Sequence, residues 1–319
     1  MTHMQNLISR FFEWMGVKGY SPETIIGWRL LLKYFSSWCE EREITEPQDV
    51  TRPLLERYQR YLYHYKSKKG KRLSVNTRHV RMIPIRAFFK WLAKSNYILY
   101  NPASELELPK LEYRLPRNVL SSEEAETILN SIDLSCPMGL RDRTMLETLY
   151  STGIRRAELC NLNVSDVNMD KGIVMIWEGK GNKDRVVPIG DRALVWVDKY
   201  LHDLRPLMAW REETDRLFLT KNGKPIRPKH LTRITGEHVR NADIGKTGAN
   251  HIWRHSCATL MLENGADIRY VQEQLGHASI NTTKIYTRIA IVKLKEIHTK
   301  THPASQNTPH HLKETLTYQ

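Results

Sequence analysis

The chain has 319 residues, with 49 Lys and Arg against 35 Asp and Glu and a formal charge of +14, a balance that fits nucleic acid or an anionic membrane surface as partner. No apolar run approaches the roughly 18 residues of a spanning helix, and Met1–Asn6 lacks the charged-then-apolar layout of a signal peptide, so a cytoplasmic, nucleoid-associated protein with no membrane partner is expected. Cys39, Cys136, Cys160 and Cys257 form no C-x-x-C pair, which argues against a disulfide framework or zinc knuckle and predicts buried or half-buried free thiols.

The length predicts two domains of roughly 150 residues each. Leu7, Ile8, Phe11, Phe12 and Met15 form a first apolar stripe. After Ser21-Pro22, which fits N-cap and N1, the residues Ile25, Trp28, Leu31, Leu32, Phe35 and Trp38 recur at helical spacing. Leu54–Tyr65 and Val80–Leu92 read as two more helices, and between them Lys66-Ser67-Lys68-Lys69-Gly70-Lys71-Arg72 is a basic loop. Residues 1–110 carry 19 Lys and Arg against 10 Asp and Glu. A charge run is usually a solvated face. Gathered on a small helical domain, the surplus predicts contact with a DNA backbone through Lys66, Lys68, Lys69, Lys71 and Arg72.

Pro102, Pro109 and Pro116 bracket Glu105–Arg117, which has no clear periodicity and reads as an interdomain linker. Ser121 and Glu124 fit a capping box. Arg143–Tyr150 reads as helix, stopped near Gly153. Gly172–Trp177 and Arg185–Ile189 are β-like, with the Gly- and Lys-rich turn between them closing a hairpin. Helical signals return over Ala193–Leu204, from His251 to Glu263, from Ile268 to Leu275 with a stop at Gly276, and again from about Ser279. The segment beyond Pro303 is polar and aperiodic and reads as a mobile tail. No internal repeat is visible.

Several residues carry chemistry. His251 and Arg254 stand three apart on a predicted helix and share a face, either to serve one phosphate or as a solvated surface. His251 and His255 are also four apart, as on a zinc helix, but position 252 is Ile and no acidic third ligand follows, so neither a metal nor a cofactor is expected. Arg155 follows Gly153 at a turn into a helix. A guanidinium is planar, permanently charged and able to bond two phosphate oxygens at once, so two of them can clamp the non-bridging oxygens and stabilise a pentacoordinate transition state. Lys180 lies at the hairpin tip, with Lys183 an equally available competitor in the same turn. Tyr286 has a free pKa of about 10 and needs a base, or nearby cations, to act as a nucleophile.

The motifs Arg155-x-x-Glu158-Leu159, Gly179-Lys180-Gly181-Asn182-Lys183, His251-x-x-Arg254-His255, Leu275-Gly276-His277 and Thr283-x-x-Tyr286-Thr287 resemble those of the tyrosine recombinases, the lambda-integrase superfamily. Gly19-Tyr20-Ser21-Pro22-Glu23-Thr24 and Asn101-Pro102 are similar to that family's helical core-binding domain, and the order and spacing are most similar to its Xer branch. Trp253 and Cys257 depart from the smaller or different side chains usual there.

The resemblance implies a mainly α fold with a small β-sheet (α+β), arranged as a two-domain, C-shaped DNA clamp. It gives residues 1–108 as a SAM-like core-binding domain, 109–117 as linker, 118–303 as the catalytic domain and 304–319 as tail. It implies Arg155 and Arg254 as the arginine clamp, Lys180 as general acid to the leaving 5′-oxygen, and His251 as acid/base for the tyrosine. His277 would donate a hydrogen bond to the phosphate and Tyr286 would be the nucleophile, with Lys183 a further DNA contact. The expected activity is site-specific recombination of double-stranded DNA through a 3′-phosphotyrosyl intermediate and a Holliday junction. The expected assembly is a homo- or hetero-tetramer on paired sites, with accessory proteins possible. A type IB topoisomerase-like relaxing activity, a non-catalytic accessory DNA binder and a metal-dependent nuclease are the rival readings.

Overall fold

The computed structural model describes residues 2–67, 70–111, 118–179, 183–209 and 214–276. Lys68, Lys69, Lys180, His277, Tyr286, most of the expected linker, the helix expected from Ser279 and the polar tail lie outside these residues, as do the side chains of Glu178 and Lys183. The chain divides into two compact units, residues 1–114 and 115–319.

The first unit is built from α1 (His3–Val17), α2 (Pro22–Glu40), α3 (Arg52–His64) and α4 (Val75–Lys94). Their starts are chemically marked. Thr2 and Gln5 form a capping box, the Ser21 hydroxyl accepts from the Thr24 N–H ahead of Pro22, and Ser74 accepts from the Thr77 N–H. That last cap explains why α4 begins five residues before the predicted Val80. Pro84 sits inside α4 and removes the bond its N–H would give, yet its ring is buried with the core. Phe11, Met15, Phe35, Tyr58, Leu62, Ile85, Phe88 and Leu92 fill that core, each large apolar side chain contributing about 1.5–3 kcal/mol. Leu106 and Leu108 pack on the same core, so the stretch expected to be linker from Glu105 is anchored at its start. In the basic loop, Lys66 and Arg72 face each other as an antiparallel bridge, and Lys66, Lys71 and Arg72 are exposed. The guanidiniums of Arg72 and Arg78 lie 5.6 and 5.1 Å from the ring centre of Tyr63.

The second unit opens with α5 (Ser122–Asn130), started by the predicted Ser121–Glu124 capping box. Next, α6 (Pro137–Thr152) is twice the predicted length. Its charges hid the pattern, because Arg141, Asp142, Arg143 and Glu147 are all buried. They survive burial as pairs: Arg141 with Asp142 at 2.6 Å, and Glu147 with both Arg143 and Arg192 at 2.9 Å. After α7 (Arg156–Asn161), β1 (Val167–Asn168), β2 (Ile173–Gly179) and β3 (Lys183–Pro188) form an antiparallel sheet in the order β1-β2-β3. Two expectations are corrected here. The hairpin gains a third strand, and Lys183 opens β3 opposite Gly179 instead of belonging to the turn.

The remaining elements are α8 (Asp191–Lys199), a π-helical turn (Tyr200–Leu204), α9 (Arg205–Ala209), α10 (Pro228–Asn241), α11 (Asn250–Glu263) and α12 (Ile268–Leu275). Ile128, Leu146, Leu149, Val174, Val187, Val197, Leu231 and Trp253 share one core, and α12 lays Val271 and Leu275 against Ala258 and Leu262 of α11. Cys39, Cys160 and Cys257 are buried free thiols, whereas Cys136, at the N-cap of α6, is exposed. Among the described residues no helix is long and apolar enough to cross a membrane.

Candidate active site

The site forms where the ends of α6, α11 and α12 meet. Gly153 terminates α6 in a left-handed conformation, φ 62°, and a Cβ there would lie 2.9 Å from Leu275 Cδ2 and 3.1 Å from Cys257 Sγ. Glycine both ends the helix and lets α12 approach it. Gln274 Nε2 donates to the carbonyls of Ser151 and Thr152 at 3.4 and 3.3 Å, fastening the two helix ends together.

A helix leaves its last carbonyls without intrahelical partners. At the end of α12 three successive carbonyls each accept from a different arginine. Arg185 Nε, from β3, donates to Gln274 O at 3.2 Å, Arg254, from α11, to Leu275 O at 2.6 Å, and Arg155, at the N-cap of α7, to Gly276 O at 2.7 Å. Cations are favoured there by the helix dipole as well as by the open acceptors. Arg254, buried within α11, also donates to Gly153 O at 2.6 Å.

Glu158 binds two of the three. Its carboxylate accepts from the Arg155 backbone N–H at 2.7 Å and from the Arg155 guanidinium at 2.7 Å. Arg185 grips the same carboxylate bidentately at 2.9 and 2.8 Å. Burial alone would raise the Glu158 pKa. The Arg185 hydrogen bonds, the Arg155 N–H, the Arg185 charge and the Arg155 side chain outweigh it and hold the pKa at about 2.

His251 stands in the first turn of α11 and is exposed. Asn250 fixes that turn, donating to Thr232 Oγ1 at 2.9 Å and accepting from Thr235 Oγ1 at 3.2 Å, both on α10. Partial desolvation, then the charges of Arg156 and Arg254, lower the His251 pKa below the ordinary histidine value. His255, with its ring centre 6.3 Å from that of His251, is pushed down to about 4 by burial, then by His251 and Arg254. Both imidazoles are therefore neutral at pH 7. Among the described residues no cluster of His, Cys, Asp and Glu could hold a metal ion.

Of the six expected catalytic residues the structure brings together Arg155, Arg254 and His251. Lys180, His277 and Tyr286 lie outside the described residues, His277 directly following Gly276 in the chain. Lys66, Lys71 and Arg72 belong to the first unit. Sequence reasoning gave Arg185 and Asn250 no role. A signal for Arg185 existed: strand alternation places it on the same face as Val187, which is fully buried, and a charge turned inward needs a partner.

The chain as a whole matches known proteins. Residues 118–292 match the phage integrase family and residues 4–108 the phage integrase SAM-like domain. The tyrosine recombinase XerC 2 of Ralstonia nicotianae is 49% identical over 293 residues, covering 92% of this chain and 84% of that protein. The tyrosine recombinase XerD of Staphylococcus epidermidis is 35% identical over 302 residues, covering 94% and 99%. Among solved structures, the XerH site-specific recombinase in a post-cleavage complex with palindromic difH substrate superposes with a TM-score of 0.70 at 26% identity, covering 86% of this chain and 79% of that one.

The fold and these relatives define a DNA breaking and rejoining enzyme of integrase-like architecture. The chain belongs to the phage integrase family and, within it, to the Xer branch of the tyrosine recombinases. It is a site-specific recombinase that acts on DNA, and these relatives do not favour the topoisomerase-like or the non-catalytic reading.

Proposed function

We propose that the chain exchanges strands between paired DNA sites with Tyr286 as nucleophile, and with Arg155, Arg254, His251, Lys180 and His277 completing the active site. The observation that carries this reading is the delivery of Arg155 and Arg254 to adjoining carbonyls, Gly276 and Leu275, immediately before His277. Two guanidiniums from separate elements held a residue apart make a cradle for the non-bridging oxygens of one phosphodiester.

In this mechanism the Tyr286 oxygen forms a bond to the scissile phosphorus and passes its proton to neutral His251. The bond from phosphorus to the 5′-oxygen breaks, and Lys180 protonates that oxygen. Charge that builds on the non-bridging oxygens is met by Arg155, Arg254 and His277. The 3′-phosphotyrosyl bond conserves the energy of the phosphodiester, so a partner strand's 5′-hydroxyl can reverse the step and neither ATP nor a metal is chemically required. Two such rounds pass through a Holliday junction.

The helical unit within residues 1–108 contributes backbone contacts through its basic surplus, and residues 118–303 contain the chemistry. Four protomers, of one or two kinds, assemble on two sites in the cytoplasm, with or without accessory proteins. The biological task is resolution of replicon dimers or movement of an integrative element.

A nicked suicide substrate, from which the short fragment bearing the released 5′-hydroxyl diffuses away, traps the adduct. Wild-type protein is expected to yield a denaturant-resistant protein–DNA band and Tyr286→Phe none, with DNA binding retained. A persistent adduct in the variant would move the nucleophile to another tyrosine, Tyr270 first.

A further inference from the structure

We propose that Arg185 is a positioning residue for DNA cleavage, holding Glu158 so that the guanidinium of Arg155 stays turned toward the scissile phosphate. The inference rests on the reading of Arg155 as a phosphate ligand.

Arg185 is poorly placed to touch DNA itself. Its side chain is only 12% exposed, both terminal nitrogens bond Glu158 and its Nε bonds Gln274 O. Gly276 packs closely against it, so that a Cβ at Gly276 would be 2.9 Å from Nε and 3.0 Å from Cζ. Any effect on the reaction passes through these neighbours.

The carboxylate of Glu158 explains how. An ionised carboxylate offers about four acceptor directions. Here all are occupied, two by Arg185 and two by the Arg155 backbone N–H and guanidinium. Arg155 therefore gives Glu158 a single N–H···O bond from one terminal nitrogen, while the other faces Gly276 O. Without Arg185, the buried carboxylate of Glu158 has two empty acceptor sites. The guanidinium able to fill them is that of Arg155, and a bidentate grip by Glu158 rotates it away from Gly276 and from the phosphate. Arg185 also joins β3, which follows Lys180 in the chain, to the end of α12, which precedes His277 in the chain. One side chain thus holds the two flanks of the site and the orientation of its arginine.

The test is single-turnover cleavage on two suicide substrates, one normal and one with a methylphosphonate at the scissile position, where a methyl group replaces a charged non-bridging oxygen. Each variant is compared with wild type on the same DNA. Arg185→Ala is expected to bind DNA like wild type yet cleave the phosphodiester about tenfold to a hundredfold more slowly, the scale for a displaced catalytic group. Its defect should shrink on the methylphosphonate, in parallel with that of Arg155→Ala, because the neutral linkage makes less use of Arg155. The Arg155→Ala, Arg185→Ala double variant should cleave no more slowly than Arg155→Ala alone.

Equal defects on both substrates, or additive losses in the double variant, would make Arg185 merely structural and overturn the proposal. If Arg185→Ala does not fold, Arg185→Lys decides. It keeps the charge, but a single ammonium cannot occupy both oxygens of Glu158, so slow cleavage of the phosphodiester alone is expected and wild-type cleavage overturns the proposal. Wild-type cleavage by Arg155→Ala would instead overturn the reading of Arg155, an outcome visible before any Arg185 variant is made.

Discussion

Arg155 and Arg254 donate to neighbouring carbonyls, Gly276 O at 2.7 Å and Leu275 O at 2.6 Å, although they start from different helices, 99 residues apart in the chain. The two differ in what else they hold. Arg155 leaves 24% of its side chain exposed and shares Glu158, whereas Arg254 is buried and also binds the carbonyl that ends α6. One faces outward over the site and the other ties its floor together.

Replacing either with Ala should therefore cost cleavage at least about 2–4 kcal/mol of transition-state stabilisation, the scale of a lost oxyanion donor. DNA binding should change less, because many other cations contact phosphates. Their thermal stabilities should separate. Arg254→Ala strips a donor from the carbonyls of Gly153 and Leu275, at about 1–3 kcal/mol for each buried acceptor left unsatisfied, while Arg155→Ala melts closer to wild type. Cleavage within a few-fold of wild type by either variant would remove it from the clamp, and equal melting temperatures would contradict the difference in burial.

Much of this was legible in the sequence because it is local. The stripes of α1 and α2, the Ser21-Pro22 and Ser121–Glu124 starts and the stops at Gly153 and Gly276 each depend on residues a few positions apart. Helix α10 was not legible, since Leu231, Ile234 and Val239 are thinly spread among Lys, His, Thr and Arg. Nor was the true extent of α6, whose inward charges break the apolar period. The glycine-rich run made the hairpin turn read too long and took Lys183 out of its strand. The partnership of Glu158 with Arg185 and of Arg185 with Gln274 spans 27 and 89 residues, and no periodicity reports a contact of that range.

The pH dependence should come from His251 and not from Glu158. A base must be neutral to accept the Tyr286 proton, and His251 titrates below the ordinary histidine value. Cleavage at saturating protein should then be level through neutral pH and fall on acidification with a midpoint below about 6.5. His251→Gln should be slow and should lack this acid limb; an unchanged limb would assign it to another group. Glu158 acts lower down. With its folded pKa near 2, depressed from about 4.3 in the unfolded chain, it contributes stability that is present above the unfolded value and is lost as pH falls toward the folded one. Glu158→Gln should accordingly flatten the loss of melting temperature between about pH 4.5 and 2, measured by circular dichroism.

The loop from Lys66 to Arg72 should be visible in salt dependence. Exposed Lys66, Lys71 and Arg72 displace counterions when they meet a phosphate, and each contact adds about 0.9 to the slope of log K against log salt. Replacing the three with Gln should flatten the slope, by as much as about 2.7 if all three touch DNA, and leave the cleavage rate of fully bound DNA unchanged. An unaltered slope would return the loop to a solvated charge run.

The hairpin poses the last question, which lysine donates the proton. Lys180 precedes β3, and Lys183 opens that strand opposite Gly179, so the two no longer compete as residues of one turn. A general acid matters only where the leaving oxygen needs a proton in the transition state. Sulfur in place of the 5′-bridging oxygen leaves readily without one. Lys180→Ala should consequently be slow on normal DNA and largely restored on the sulfur-substituted strand, whereas Lys183→Ala should show a smaller defect, equal on both and mainly in binding. Rescue of Lys183→Ala in place of Lys180→Ala would exchange the roles. If sulfur rescues neither variant, the hairpin positions DNA without supplying a proton, and the acid must be sought among the other cations of the site.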